Sequence, residues 1–412
     1  MPESAWDPQV FSPYDSDPDT VFARIAARSP HFDAVDASGG RPILVGSAAG
    51  HDRERVAASA RGELLERVGN ILAGRAAEAD ASMIGTYAEL CRKGVPALDP
   101  AGDDPAPARP PHTAPTARET RRLWVRGHRF DSGEETYLPA DAVFLHHRPP
   151  TGCDPGPRAG STGVASHPDP TSAAEHAAWE VLERDLVRRS WYGLDPPPVR
   201  LLPAGPPEPL AKLLPELGVL TTTLDLAAPD GARCVVVCLH APDGTRQSFG
   251  ARCGPEADLP TLIEKAAYEA LMVRWSMDTA VARATWERWR GGSPPETAVQ
   301  HALWAYHVQD SLSSWTTRST RQNVPPFEAG PFEEGTAHPP GSTPPVVPSG
   351  LDALSAHTGR EIVLVDTTAG PARALGATVI RVVAPGAAGL PAGPDDAHRH
   401  TPTTPRGPHP FG

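Results

Sequence analysis

The chain has 412 residues and 39% hydrophobic side chains, enough for one large domain or two ordinary ones despite 50 prolines. Its formal net charge of −12 excludes a general affinity for nucleic acid, because counterion release needs a basic surface. Five scattered cysteines, with no CxxC pair, exclude a disulfide framework and a zinc knuckle.

The first residues, MPESAWDPQVF, carry neither a basic n-region nor an apolar h-region. No apolar run approaches the roughly 20 residues that span a bilayer. A soluble cytoplasmic protein is the expectation. Residues 1–40 read as a lead-in. A strand from Pro42 to Val45 then leads into a helix from about Asp52 to Leu72. Strands are expected near Arg121 to Val125 and Ala142 to His146. A second strong helix runs from about Thr171 to Trp191. Strands at Val219 to Leu226 and Ala232 to Leu239 precede a third helix, Leu259 to Trp275. Cys234 and Cys238 share one face of the apolar run CVVVCL and read as small buried hydrophobes. A helix from Glu296 to about Ser311 carries Trp304, which reads with Trp315 as core or groove lining. The last strands are Glu361 to Asp366 and Thr378 to Val383. Three stretches, roughly Leu98 to Ala117, Asn323 to Leu351 and Gly386 onward, are too rich in proline to pack. Strands and helices without strict βαβ alternation give an α+β fold class of mixed sheets and helices.

Two helices present carboxylate pairs. On the first, Ala57, Ala60, Leu64, Val68 and Ile71 form an apolar stripe, and Ser59, Glu63, Glu66 and Asn70 line the opposite side. Taken alone, this helix reads as an ordinary solvated face, with Glu63 and Arg67 as an i,i+4 pair. On the second, Ser172, His176, Glu180 and Glu183 fall on one side, and Trp179 and Val187 flank Glu183. A carboxylate between large apolar groups is costly unless it is paired or binds a metal. Arg184 points off this face and is a poor neutraliser of Glu183. Two such helices suit Mg²⁺, which takes oxygen ligands and shares them with phosphates.

There is no GxxxxGK[ST] loop, no DFG and no HRD, and the only lysines are Lys93, Lys212 and Lys265. Any bound nucleotide must therefore be held by arginines, with Arg67, Arg184 and Arg274 as candidates. The adjacent pair His146 and His147 alternates across a strand and is a poor metal site.

The run SARGELLER has the spacing Ser-x3-Glu-x2-Glu-Arg and resembles the first nucleotide-binding motif of the YcaO family. STGVASHPDPTSAAEHAAWEVLERD resembles its second block, and KAAYEALMVR, with SFGARCGPEADL before it, resembles its third. IVLVDTT and VIRVVAPG resemble the last two strands of the azoline-forming branch. The matches stand in the expected order from about residue 40 onward.

The resemblance implies a YcaO-like ATP-binding catalytic domain over residues 41–385 and a proline-rich tail over 386–412 that reaches toward the active site. It implies ATP and Mg²⁺ as cofactors. Glu63, Glu66, Glu180 and Glu183 would be metal ligands, and Ser59, Ser161, Arg67, Arg184 and Arg274 would contact nucleotide. The implied reaction is cyclodehydration of a ribosomal precursor peptide: a Cys, Ser or Thr side chain attacks the preceding carbonyl, and ATP activates the oxygen as phosphate. The general base is open between His176 and the carboxylate of Gly412. No segment reads as a leader-peptide-binding domain, so a separate ThiF-like partner is expected to deliver the peptide. A homodimer or a complex with a sister YcaO subunit are the assemblies left open. No nucleic acid or membrane partner is expected. Two other readings stand beside this one: a thioamide- or macroamidine-forming YcaO, and a catalytically silent subunit. The chain departs from the family pattern at GSAAG (Gly46 to Gly50), where a Gly-Lys-Gly segment is common. It departs again at Ser172, where a further glutamate is common, and at Gly412, where a third alternating proline would stand.

Overall fold

The computed structural model describes residues 6–32, 43–101, 117–156, 159–193, 199–290, 292–308, 310–317, 348–390 and 407–411. In chain order come β1 (Gln9–Phe11), β2 (Val21–Arg28), β3 (Ile43–Gly50) and α1 (Arg53–Asp80). Next are β4 (Ile84–Gly85), α2 (Tyr87–Arg92), β5 (Arg122–Arg129), β6 (Glu135–Pro139), α3 (Ala140–Val143), β7 (Val164–His167) and α4 (Pro170–Tyr192). β8 (Val199–Leu202), α5 (Leu210–Glu216), β9 (Leu220–Leu226), β10 (Ala232–His240), β11 (Ser248–Pro255) and α6 (Leu259–Met277) follow. The described chain continues with α7 (Ala280–Trp289), α8 (Ala298–His307), α9 (Ser311–Thr316), α10 (Gly350–Thr358), β12 (Val363–Asp366), α11 (Gly370–Ala374) and β13 (Thr378–Val383). Every strand pairing between these elements is antiparallel, so the fold is α+β.

Chain contacts divide the fold into two units, Met1–Asp185 with Gly350–Leu390 and Leu186–Ser349 with Pro391–Gly412. The first unit holds a three-stranded sheet ordered β1-β2-β3 and a six-stranded sheet ordered β4-β5-β12-β13-β7, with β6 on β5. α1 packs against strands of both sheets. Its Ala60, Leu64, Val68 and Ile71 are buried with Val21, Ala23, Val164 and Val379. Asp52 caps the helix by accepting from the N–H groups of Glu54 and Arg55.

The second unit holds a four-stranded sheet ordered β11-β10-β9-β8, with α6 laid on β10 and β11. Cys234 and Cys238 are buried free thiols of β10. The segment 407–411 also packs in this unit, although its prolines suggested otherwise. Phe411 is buried, with its ring 6.1 Å from those of Phe249 and Trp315. Trp191 Nε1 donates to Gly407 O at 3.0 Å, and the ring of His409 stacks on His301 at 3.8 Å. Aromatic anchors offset the missing proline donors. The proline-rich residues 102–116, 318–347 and 391–406 lie outside the described residues.

One local arrangement occurs in both units: a glycine in a strand lets the following helix approach the sheet backbone. A methyl group on Gly46 would overlap Ala60 O and stand 2.8 Å from Leu64 N; one on Gly250 would overlap Ala266 O and stand 2.8 Å from Ala270 N. Glycine in a strand interior marks such close approaches.

Several expected elements changed. The strand expected at Ala142 to His146 is instead the end of α3 followed by a turn in which His146 has φ 52°. The cause is Asn70, whose buried amide donates to Val143 O at 3.0 Å and accepts from Leu145 N at 2.7 Å. A side chain thus satisfies the backbone groups that a neighbouring strand would have taken. The same contact places Asn70 in the core rather than on a solvated face. His147 meets Glu78 at 3.0 Å instead of alternating across a strand. The lead-in contains β2, and α1 runs eight residues past Leu72. The helix expected from Glu296 to Ser311 ends at His307, and Asp310 caps α9 separately by accepting from Ser313 N. Trp315 is buried as expected. Among the described residues, no helix is long and apolar enough to cross a membrane.

The close approach at Gly46 makes it intolerant of any side chain. Gly46→Ala is expected to destabilise the protein by about 1–3 kcal/mol through overpacking of α1 against β3. Denaturant unfolding checks this, with Gly160→Ala, whose added methyl meets no atom within 4 Å, as a control.

Candidate active site

The close approach at Gly46 brings α1 within reach of the β3 backbone. Glu63 Oε2 accepts from Ser47 N at 2.6 Å, and Arg67 donates to Val45 O. Arg67 Nη2 also donates to Glu63 Oε1 at 2.6 Å. One helical turn therefore reads both backbone groups flanking Gly46. On the same helix, Glu66 Oε1 accepts from Ser166 N of β7 at 3.0 Å. Ser166 Oγ returns a bond to Gly62 O at 3.0 Å, and Gly62 leaves the room this needs.

Glu180 of α4 accepts from Gly163 N at 3.0 Å. Gly163 has φ +81° and ends a tight turn in which Val164 N donates to Ser161 O at 3.0 Å. A side chain at Gly163 would stand 2.6 Å from Val181 Cγ2, so glycine is required on both counts.

These carboxylates crowd one another. Glu66 keeps part of its surface accessible, yet its carboxyl is enclosed by protein. Its pKa is raised well above the usual range, first by burial, then by the charges of Glu180 and Glu63; Ser166 N and Arg67 oppose this. Arg381 of β13, which the sequence reading missed, is buried beside the group. Burial lowers its pKa to about 10, and the charge of Glu180 holds it up. Among the described residues, no three His, Cys, Asp or Glu side chains converge into a metal cage. Mg²⁺ does not require one, since it usually keeps waters and shares phosphate oxygens. Crowded, partly enclosed carboxylates answered by backbone N–H groups fit such an ion.

Glu183 is buried at 2% exposure, and Arg184 Nε stands 3.4 Å from its Oε1. This corrects the expectation that Arg184 points away: its long side chain folds back along α4. Ser59 and Ser161 are exposed. His176 is exposed, with its ring edge-on to His167 at 5.6 Å. Ser172 donates to Asp169 Oδ2 at 2.8 Å through both its N–H and its hydroxyl, so Asp169 caps α4 and the Ser172 hydroxyl is committed to that cap. Gly412 lies outside the described residues.

Arg274 belongs to the second unit, where it donates to Arg246 O and lies 5.7 Å from the Tyr306 ring centre. Tyr306 donates to Asp278 at 3.0 Å, and its hydroxyl is pushed up to about 12, first by burial and then by Asp278. Glu269 of α6 repeats the role of Glu63, accepting from Ala251 N, next to Gly250, at 3.3 Å. The sequence signal for it was a glycine in a strand followed by a helical glutamate. The signal for Arg381 was one arginine inside the apolar strand VIRVV.

A family model described as "YcaO cyclodehydratase, ATP-ad Mg2+-binding" matches residues 47–388. The chain belongs to the YcaO family. Among solved structures, it is similar to a heterocyclase in complex with substrate and cofactor (17% identity, TM-score 0.62), covering 98% of this chain and 54% of that one. It is similar to YcaO from Methanopyrus kandleri bound with AMPPCP and Mg²⁺ (19% identity, TM-score 0.55), covering 98% and 92%. It is also similar to a chain of the E. coli microcin synthetase McbBCD complex (14% identity, TM-score 0.57), covering 93% and 89%. An uncharacterized protein of Methanothermobacter thermautotrophicus is 27% identical over 221 residues, 49% of this chain and 55% of that protein. The chain thus spans about half the length of this relative and of the first heterocyclase.

The raised pKa of Glu66 sets a pH dependence for the metal-free protein. Between the ordinary glutamate pKa and the folded value, the folded state holds a proton that the unfolded state has lost. Stability therefore falls as pH rises through that window. Glu66→Gln is expected to melt higher than wild type at pH 7 without metal, with the gap closing toward pH 4.5. Thermal unfolding across that range, with a chelator present, checks this.

Proposed function

We propose that this chain is an ATP- and Mg²⁺-dependent cyclodehydratase that forms thiazolines or oxazolines from Cys, Ser or Thr of a ribosomal precursor peptide. The observation that carries the reading is the enclosed Glu66, crowded by Glu180 and Glu63 in a YcaO chain. Glu63, Glu66, Glu180 and Glu183 would hold Mg²⁺. Ser59, Ser161, Arg67 and Arg184 of the first unit would contact the nucleotide. Bound Mg²⁺–ATP would supply the phosphoryl group that makes the amide oxygen a leaving group.

The chain's own part is positioning and electrostatics. Glu63 and Arg67 lock α1 to β3. Glu66 and Glu180 are each aimed by one backbone N–H, which would let them hold the cation with little reorganisation. His176 is the candidate among the described residues for the base that takes the attacking group's proton. A separate ThiF-like protein would bind the leader and present the peptide, a reading supported by the likeness to a subunit of a multi-protein synthetase.

A silent subunit is the second reading. Ser172 favours it, because a hydroxyl committed to Asp169 stands where the family commonly has another glutamate.

One assay separates the two. The chain, its partner and its precursor are incubated with ATP and Mg²⁺, and the product mass and phosphate are followed. Loss of one water per ring with matching phosphate release is expected, falling by about a hundredfold or more in Glu66→Ala and Glu180→Ala. A gain in mass from oxygen-to-sulfur exchange would mean a thioamide. A yield unchanged in both variants would mean the silent subunit.

A further inference from the structure

We propose that Arg381 is a positioning residue for the nucleotide site, acting through the turn at residues 160–163. The inference rests on the reading that Glu180 and Ser161 belong to that site.

Arg381 occupies the middle of β13, paired with Val164 of β7 and flanked by Ile380 and Val382, both buried. It is itself only 9% exposed. A buried guanidinium is expensive, and an apolar side chain would pack there at lower cost. Arg381 Nη1 donates to Gly160 O at 2.7 Å, and Nη2 donates to Ala142 O at 3.3 Å. Its Nε is buried and has no hydrogen-bond partner among the described residues. Glu180 is the carboxylate whose charge supports it.

The turn it grips is held at both ends. At the far end, Val382 N donates to Gly163 O at 2.8 Å, and Gly163 N is committed to Glu180. Val181 closes on Gly163 from α4. At the near end, the space beside Gly160 is open: an added methyl would meet nothing within 4 Å. No neighbour occupies the space where a Gly160 side chain would sit, and the bond from Arg381 holds its carbonyl. Neighbouring residues of β13 thus clamp the two ends of the turn, Arg381 by side chain and Val382 by backbone. Between the clamps sits exposed Ser161, and the far clamp orients the N–H that aims Glu180. One rigid strand sets both a hydroxyl and a carboxylate of the site.

The test uses the full chain with Arg381→Met and Arg381→Lys. Lysine keeps the charge but cannot reach both carbonyls in one plane. Hydrogen exchange of the amides at 161–163 is measured without nucleotide, and calorimetry with AMPPCP and Mg²⁺ is measured separately. Losing a hydrogen bond to a charged group corresponds to about tenfold. Exchange in the turn should rise about tenfold in Arg381→Met while α1 is unchanged, with Arg381→Lys between. Nucleotide affinity should fall by a similar factor. In a Ser161→Ala background, Arg381→Met should add little further loss, because both act through one turn. Unchanged exchange in the turn would overturn the proposal, and so would losses that simply multiply. If wild type bound no nucleotide, the site assignment would fall, and the exchange result would still decide whether Arg381 holds the turn. Should Arg381→Met fail to fold, Arg381→Lys gives the same comparison.

Discussion

The first unit is organised around a repulsion. Burial first, and then the charges of Glu180 and Glu63, make Glu66 resist ionising, and each of the three carboxylates accepts one backbone N–H. Surrounding them with apolar neighbours alone would strand the carboxylates in a costly environment. The chain instead spends backbone donors from three separate segments: Ser47 in β3, Gly163 in the turn before β7, and Ser166 in β7. The sheets are what carry those donors to α1 and α4. If these carboxylates hold the cation as proposed, its binding would relieve the crowding and would be linked to folding stability.

Glycine makes the arrangement possible. Gly46 lets α1 touch β3 so closely that Glu63 and Arg67 reach the strand backbone, and Gly62 lets Ser166 approach the helix. In the second unit Gly250 and Glu269 repeat the first of these contacts. The recurrence shows that strand glycine and helical glutamate form one structural device, with the carboxylate stapling helix to sheet. The second unit uses aromatic packing elsewhere, where Phe411, Trp315, Phe249 and the His301–His409 stack hold the segment 407–411.

Much of this was legible in the chain. Helical spacing alone put Glu63 with Glu66 and Glu180 with Glu183 on common faces, and the ordered motifs named the family. Local periodicity could not show that Asn70 would dissolve the strand expected at Ala142 to His146, since the contact spans 73 residues. Nor could a helical wheel show Arg184 folding back toward Glu183, because long side chains are not bound to the direction of their Cα–Cβ bond. Arg381 was missed for a related reason. It lies about 200 residues from Glu180, and only the β7–β13 pairing brings strand and turn together. The packing of residues 407–411 was not legible because proline content describes lost donors and says nothing of an aromatic such as Phe411 that can anchor.

The central claim is that these crowded carboxylates form the cation site. Electron paramagnetic resonance of Mn²⁺, titrated in place of Mg²⁺ with AMPPCP present, tests it most directly. The account predicts saturable Mn²⁺ binding to wild type that is lost in the Glu66→Gln, Glu180→Gln double variant while the variant stays folded. Equal Mn²⁺ binding by both proteins would contradict it and place the cation elsewhere.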